Sequence, residues 1–146
     1  MDLAAQLRGF EKNGQFRYSP PTHSLLAFEQ ALKELKMEGG IPGRAKRYQR
    51  NHEVLLDGMR NLGFTSYLNA EVQSYLITSF HFPKDPAFTF DAFYRNLSDR
   101  GMIIYPGKIS QVDLFRIGSI GRIFESDVRA LIAAIQGALE DLGIQL

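Results

Sequence analysis

The sequence predicts an α+β fold, with helices packed on one face of a mostly antiparallel sheet of about three to four strands. Apolar residues recur at helical spacing up to Leu62, and from Phe64 the pattern shifts to short runs rich in β-branched and aromatic residues. Two further helical stretches interrupt those runs rather than alternating regularly with them. A chain of 146 residues that is 45% hydrophobic and 23% charged can bury a core of its own and is read as a single domain.

The first helix is expected over Asp2 to Lys12, with Leu3, Leu7 and Phe10 on one side, ending at the breaker pair Asn13-Gly14. Gln15 to His23 contains Pro20-Pro21, which fixes a rigid, non-helical loop. Thr22 or Ser24 then caps a second helix, whose stripe is Leu25, Phe28, Leu32 and Leu35 and whose end is Gly39-Gly40. A third helix is placed from about Arg44 to Leu62, with Val54, Leu55, Met59 and Leu62 inward and a basic side of Arg44, Lys46, Arg47 and Arg50, read as a solvated face. Strands are expected at Phe64 to Leu68, Tyr75 to Phe82, Met102 to Tyr105 and Leu114 to Ile120. A helix from Phe90 to Arg100 stops at Gly101, and the last, from about Glu125 to Leu142, stops at Gly143.

Several functions are disfavoured at once. With 17 basic and 16 acidic residues there is no basic excess for nucleic-acid binding. The absence of cysteine excludes disulfides and thiolate metal sites, and His23, His52 and His81 show no ligand spacing, so no metal is expected. No stretch approaches the ~20 apolar residues of a membrane span. The first eight residues lack the build of a signal peptide, so a cytoplasmic location is expected.

Three segments have chemical potential. Arg17-Tyr18-Ser19-Pro20-Pro21-Thr22-His23 places hydroxyls on a stiff loop before a helix start, which suits either a phosphate site or an ordinary helix cap. In Leu114 to Arg122, strand alternation sets Leu114, Arg116 and Gly118 on one face and Phe115, Ile117 and Ser119 on the other. An arginine in an apolar strand needs an anion, either a ligand that Gly118 leaves room for or a structural Asp or Glu. Lys108, after the Tyr105-Pro106-Gly107 turn, is a carbonyl-attacking nucleophile if desolvated and a solvated loop lysine otherwise.

Taken together, Glu11 to His23 followed by Ser24-Leu25-Leu26-Ala27-Phe28 resembles the 2-aminoethylphosphonate–pyruvate transaminases. So do Gln73-Ser74 ahead of Ile77-Thr78-Ser79-Phe80, the Ile104-Tyr105-Pro106-Gly107-Lys108 turn, and Phe115 to Gly121. The Arg116-Ile117-Gly118 strand is shared more widely among class V aminotransferases, including the alanine–glyoxylate and serine–pyruvate types. The Pro-Pro-Thr-His loop and the Tyr-Pro-Gly-Lys turn point to the phosphonate branch.

The resemblance implies the C-terminal small domain of a fold type I pyridoxal-phosphate enzyme, with residues 1–23 facing the cofactor and 24–146 forming the small domain. It implies a homodimer that moves the amino group of 2-aminoethylphosphonate to pyruvate, giving phosphonoacetaldehyde and alanine. Arg116 falls on the family's substrate-anion arginine. Ser19 falls on the hydroxyl that reaches the cofactor phosphate of the neighbouring subunit, with Ser where Thr is usual. Arg17, Tyr18 and Thr22 are cofactor-site candidates by adjacency, and Lys108 inherits no catalytic role. The catalytic lysine and most of the phosphate site belong to a large domain outside these 146 residues, so the chain alone is expected to be inactive. The alternatives are a different class V aminotransferase and a stand-alone anion-binding or regulatory module.

Overall fold

The computed structural model describes residues 2–107 and 112–146 and divides into two compact units, residues 1–41 and 42–146. In the first, helix α1 (Leu3–Asn13) begins where the Asp2 carboxylate accepts from the Ala5 amide at 2.9 Å and ends at Gly14. Phe10 meets Phe16 edge-on, with ring centroids 4.8 Å apart. Helix α2 (Thr22–Met37) starts earlier than the sequence implied. Thr22 is its first helical residue and Pro21 its cap position, with no side-chain cap bond, so neither Thr22 nor Ser24 caps it. Neither helix contains a buried residue, and the expected α2 stripe of Leu25, Phe28 and Leu32 lies exposed.

Helix α3 (Gly40–Asn61) begins about a turn before the predicted Arg44, because a proline in the first turn, here Pro42, has no helical bond to lose. Its residues from Pro42 onward belong to the second unit, with strands β1 (Ile77–His81), β2 (Tyr105–Pro106) and β3 (Leu114–Gly118) and helices α4 (Phe90–Asp99) and α5 (Glu125–Leu142). The sheet is antiparallel with order β1-β3-β2. All four predicted strands shrink: Tyr75 to Phe82 to Ile77–His81, Leu114 to Ile120 to Leu114–Gly118, and the other two further still. In Phe64 to Leu68 only Ser66 pairs, with Phe80 across an isolated bridge. Met102 to Ile104 forms no strand, and pairing begins at Tyr105 and includes Pro106, predicted as the breaker. Proline is tolerated there because β2 is an edge strand.

One sheet face carries the core. Phe80, Phe115 and Ile117 pack with Val54, Leu55 and Met59 of α3, Phe93 and Leu97 of α4, and Val128, Ile135 and Ala138 of α5. Phe115 lies within 6.3 Å, centroid to centroid, of Phe64, Phe80, Phe82 and Phe93. The basic side of α3 is the solvated face expected at Lys46 and Arg50, which are exposed, and not at Arg47, which is half-buried. Arg47 donates to the carbonyls of Gly121 and Ile123, and Arg50 forms a two-pronged bond with Glu125 at 2.8 and 3.2 Å. Arg129 shares the same carboxylate, and the bonds from Arg50 and Arg129 hold Glu125 down to a pKa of about 2. No helix among the described residues is long and apolar enough to cross a membrane.

Candidate anion and cofactor sites

Strand alternation determines where Arg116 points. Phe115 and Ile117 take the core side of β3, which leaves Arg116 and Gly118 on the open face. Arg116 sits mid-sheet, paired across to Ser79 on β1 and Tyr105 on β2. Its Nε–H donates to the Pro106 carbonyl at 3.2 Å, and no carboxylate pairs with it among the described residues. The structural ion pair, one of the two readings of this arginine, is thus not formed among the described residues. The guanidinium instead lines an open cavity of about 380 Å³ with Ile77, Ile103, Tyr105, Gly118 and Ile120. A Cβ added at Gly118 would meet only the Leu76 carbonyl oxygen, at 4.0 Å, so the space beside Arg116 is free. Apolar walls around a half-buried cation thin the competing water, which strengthens a bidentate contact with a planar or tetrahedral anion.

The walls are pinned by polar bonds behind them. Gln73 Nε2 donates to the carbonyls of Ser74 and Ile77, at 2.5 and 2.8 Å. Ser119 donates through its amide to Leu76 O and through its hydroxyl to Tyr75 O, both at 2.9 Å. Gly107, at the edge of β2, is required by close approach: a Cβ there would fall 2.5 Å from the Leu114 carbonyl oxygen.

The other candidates lie in the first unit. The Arg17 amide donates to Gln6 Oε1 at 3.0 Å, and the Arg17 guanidinium stands 5.5 Å from the centre of the Tyr18 ring. Tyr18 and Ser19 are exposed, and the Ser19 hydroxyl has no partner among the described residues. The Thr22 amide bonds to Pro20 O and that of Leu25 to Pro21 O. Arg17, Tyr18, Ser19 and Thr22 lie together at a helix start without a side-chain cap, where the His23 and Ser24 amides have no backbone partner among the described residues and could, with the hydroxyls, donate to the oxygens of a phosphate. Lys108 lies outside the described residues. Among the described residues no group of histidine and carboxylate side chains could hold a metal ion.

No family model matches the sequence. Over 140 residues, 95% of its length, the chain is 51% identical to the 2-aminoethylphosphonate–pyruvate transaminases of Salmonella typhimurium and Salmonella dublin. The chain is class V aminotransferase sequence, from the C-terminal part. It spans 38% of the length of those relatives. Among solved structures it is similar to the alanine–glyoxylate aminotransferase of a Nostoc species, with a TM-score of 0.80 and 21% identity over 91% of this chain and 36% of that one. It is also similar to an aspartate aminotransferase from Thermus thermophilus, with a TM-score of 0.78 and 18% identity over 97% of this chain and 39% of that one. At such identities the likeness speaks for the fold alone, which is the small α+β part of a fold type I aminotransferase.

Sequence reasoning missed Ile77, Ile103 and Ile120 as cavity walls, and it met Tyr105 only as the end of a strand and the start of a turn motif. Ile77 was within reach, since period-two alternation along β1 sets it opposite Thr78 and Phe80, on the side of Ser79. Ile120 was within reach too, since alternation along the predicted strand Leu114 to Ile120 sets it on the side of Arg116, whereas Ile103 lies in a predicted strand that does not form before Tyr105.

Proposed function

We propose that this chain supplies the anion-gripping arginine of a pyridoxal-phosphate aminotransferase that moves the amino group of 2-aminoethylphosphonate to pyruvate. The observation that carries the reading is Arg116, a guanidinium with no carboxylate partner among the described residues in an apolar cavity, in a chain half identical to enzymes bearing that name. Phosphonate and carboxylate each offer paired oxygens at a spacing that suits a planar fork, so one arginine can hold the donor in one half-reaction and the acceptor in the other. Gly118 leaves the space beside the fork into which the rest of a small substrate extends.

Ser19 and Thr22 would hold the cofactor phosphate through their hydroxyls and the free amides at the start of α2, with Arg17 adding positive charge and Tyr18 standing beside it. The cofactor, when bound, draws electrons from the substrate carbon so that a proton can leave it. In this reading Ser19 serves the neighbouring subunit of a homodimer, the catalytic lysine comes from the large domain, and the complete enzyme works in the cytoplasm. These 146 residues alone then hold no cofactor and do not transaminate.

The cavity suits a carboxylate as readily as a phosphonate, which keeps an alanine–glyoxylate or serine–pyruvate specificity as the second reading. A stand-alone anion module is favoured by one observation, that residues 42–146 close a core of their own around β3. The test is an amide NMR titration of the 146-residue chain with methylphosphonate and, separately, with acetate. Binding with a dissociation constant of about 1 mM is expected, and Arg116→Gln should weaken it at least about tenfold. Equal binding by the variant sinks the arginine assignment. Pyridoxal phosphate followed by borohydride should leave no stoichiometric adduct, and one adduct at a single lysine would overturn the claim of an incomplete site.

A further inference from the structure

The segment that follows Arg116 is tied to a helix that does not reach the cavity. From Ser119 to Ile123 the chain carries no helix or strand, yet its backbone is bonded at nearly every turn. The Gly121 amide donates to the Tyr48 hydroxyl at 3.2 Å. Arg47 donates to Gly121 O at 2.9 Å and to Ile123 O at 2.8 Å, and Asn51 Nδ2 donates to the same Ile123 O at 2.7 Å. Arg47 is held in turn between two rings, 4.8 Å from the centre of Tyr48 and 5.3 Å from that of Phe124. Asn51 is 1% exposed, so its amide is committed to this bond.

Three neighbouring side chains of α3 thus grip the loop at Gly121 and Ile123, just after Ile120, while Ser119 before it is held by the Leu76 and Tyr75 carbonyls. Ile120 is 58% exposed and forms a wall of the Arg116 cavity. Gly121 has φ +104°, a backbone state that favours glycine, so the loop turns sharply back to α3 immediately after Ile120. None of Arg47, Tyr48 and Asn51 lines the cavity.

We propose that Arg47, Tyr48 and Asn51 are positioning residues for the anion cavity, acting through the Ser119–Ile123 loop to fix Ile120 beside Arg116. The proposal rests on the reading of Arg116 as an anion grip. It differs from a merely structural role in one measurable way: its effect on affinity must pass through the Ile120 side chain.

The experiment uses the 146-residue chain, with methylphosphonate as the probe, and compares Tyr48→Phe, Ile120→Ala and the double variant. Tyr48→Phe removes a single hydroxyl from a half-buried ring and should leave the melting temperature unchanged. It should speed hydrogen exchange at the Gly121 amide by about tenfold and weaken methylphosphonate binding by about threefold to tenfold. In the Ile120→Ala background the same substitution should change the dissociation constant by less than about twofold, because the wall it positions is gone. Faster Gly121 exchange with unaltered affinity overturns the proposal, as does the same loss of affinity with and without the Ile120 side chain. Unchanged exchange at Gly121 overturns it as well, and Arg47→Gln then tests whether the two-carbonyl grip alone carries the loop. If the unaltered chain fails to bind methylphosphonate, the anion reading falls and takes this one with it. If it binds and the Tyr48→Phe chain binds equally, only the positioning role falls.

Discussion

Residues 2–41 and 42–146 are written in the same helical language, but only the second set buries what it spaces. In α2 the apolar residues Leu25, Phe28 and Leu32 recur on one side, and Phe28 remains 61% exposed. In α5 the equivalent residues Ile135 and Ala138 are fully buried against β3 and α4. The difference is one of partners. Alternation along β1 and β3 gives α3, α4 and α5 an apolar face to close on, whereas α1 and α2 have no strand in their own unit. A periodic stripe therefore predicts a helix and says nothing about whether the covering surface lies within the same stretch of chain.

The largest expected effect of this contrast is on backbone opening. Amides of α2 should exchange at least about a thousandfold faster than those of β3 and the middle of α5, since only the latter open with the global unfolding of a core. Peptide-resolved hydrogen exchange on the whole chain measures it, and equal protection of α2 and α5 would break the comparison. A mutational version follows. Phe115→Ala empties the point where Phe64, Phe80, Phe82 and Phe93 converge and should cost about 3–5 kcal/mol in urea unfolding. A loss below about 1 kcal/mol would mean the core is looser than its aromatic contacts imply.

The same contrast explains what was legible in the sequence. The last helix is legible at about Glu125 to Leu142 because Gly143 ends a strong stripe, and α4 and the sheet receive it. Phe64 to Leu68 reads as a strand by composition, but it meets the edge of β1 only through the single bridge of Ser66 to Phe80, closed by Tyr67 N–H to Ser79 O and His81 N–H to Thr65 O, because a lone run cannot say how far an edge follows it. Charge on a helix reads as solvated by default, which holds for the exposed Arg50 and not for the half-buried Arg47. Their acceptors are the Gly121 and Ile123 carbonyls and Glu125, more than seventy residues away, and nothing local encodes that. For Arg116, alternation along β3 placed the side chain on the face opposite Phe115 and Ile117, and it left open which anion the arginine meets.

Acid sharpens the comparison, because its two most informative groups lie in residues 42–146. His52 is buried, with Nδ1 3.2 Å from the Thr78 hydroxyl, and burial pushes its imidazole below the ordinary range. The unfolded chain then takes up the proton first, so stability should begin to fall as the pH drops below about 6.5. Glu125, held from 4.5 down to about 2, contributes stability that is present above pH 4.5 and lost between those two values. Urea midpoints followed by the near-ultraviolet signal of the core aromatic residues should show both declines. His52→Gln should flatten the first and leave the second, and a first decline that persists in that variant would assign it elsewhere.

The smallest expected effect tests the exposed half. Phe28→Ser in the 146-residue chain should change stability by less than about 0.5 kcal/mol, since the ring is mostly in water before and after unfolding. Phenylalanine and serine differ little in helix propensity, so the backbone adds almost nothing. On the aminotransferase reading, the result should reverse once the missing surface is supplied. Joined to the remaining N-terminal part of the Salmonella typhimurium transaminase, the chain should lose at least about 1.5 kcal/mol to the same substitution, the scale of a phenylalanine ring moved from a packed face into water. A neutral outcome in both contexts would show that the α2 stripe meets nothing in either, and the exposed half would then need a different partner.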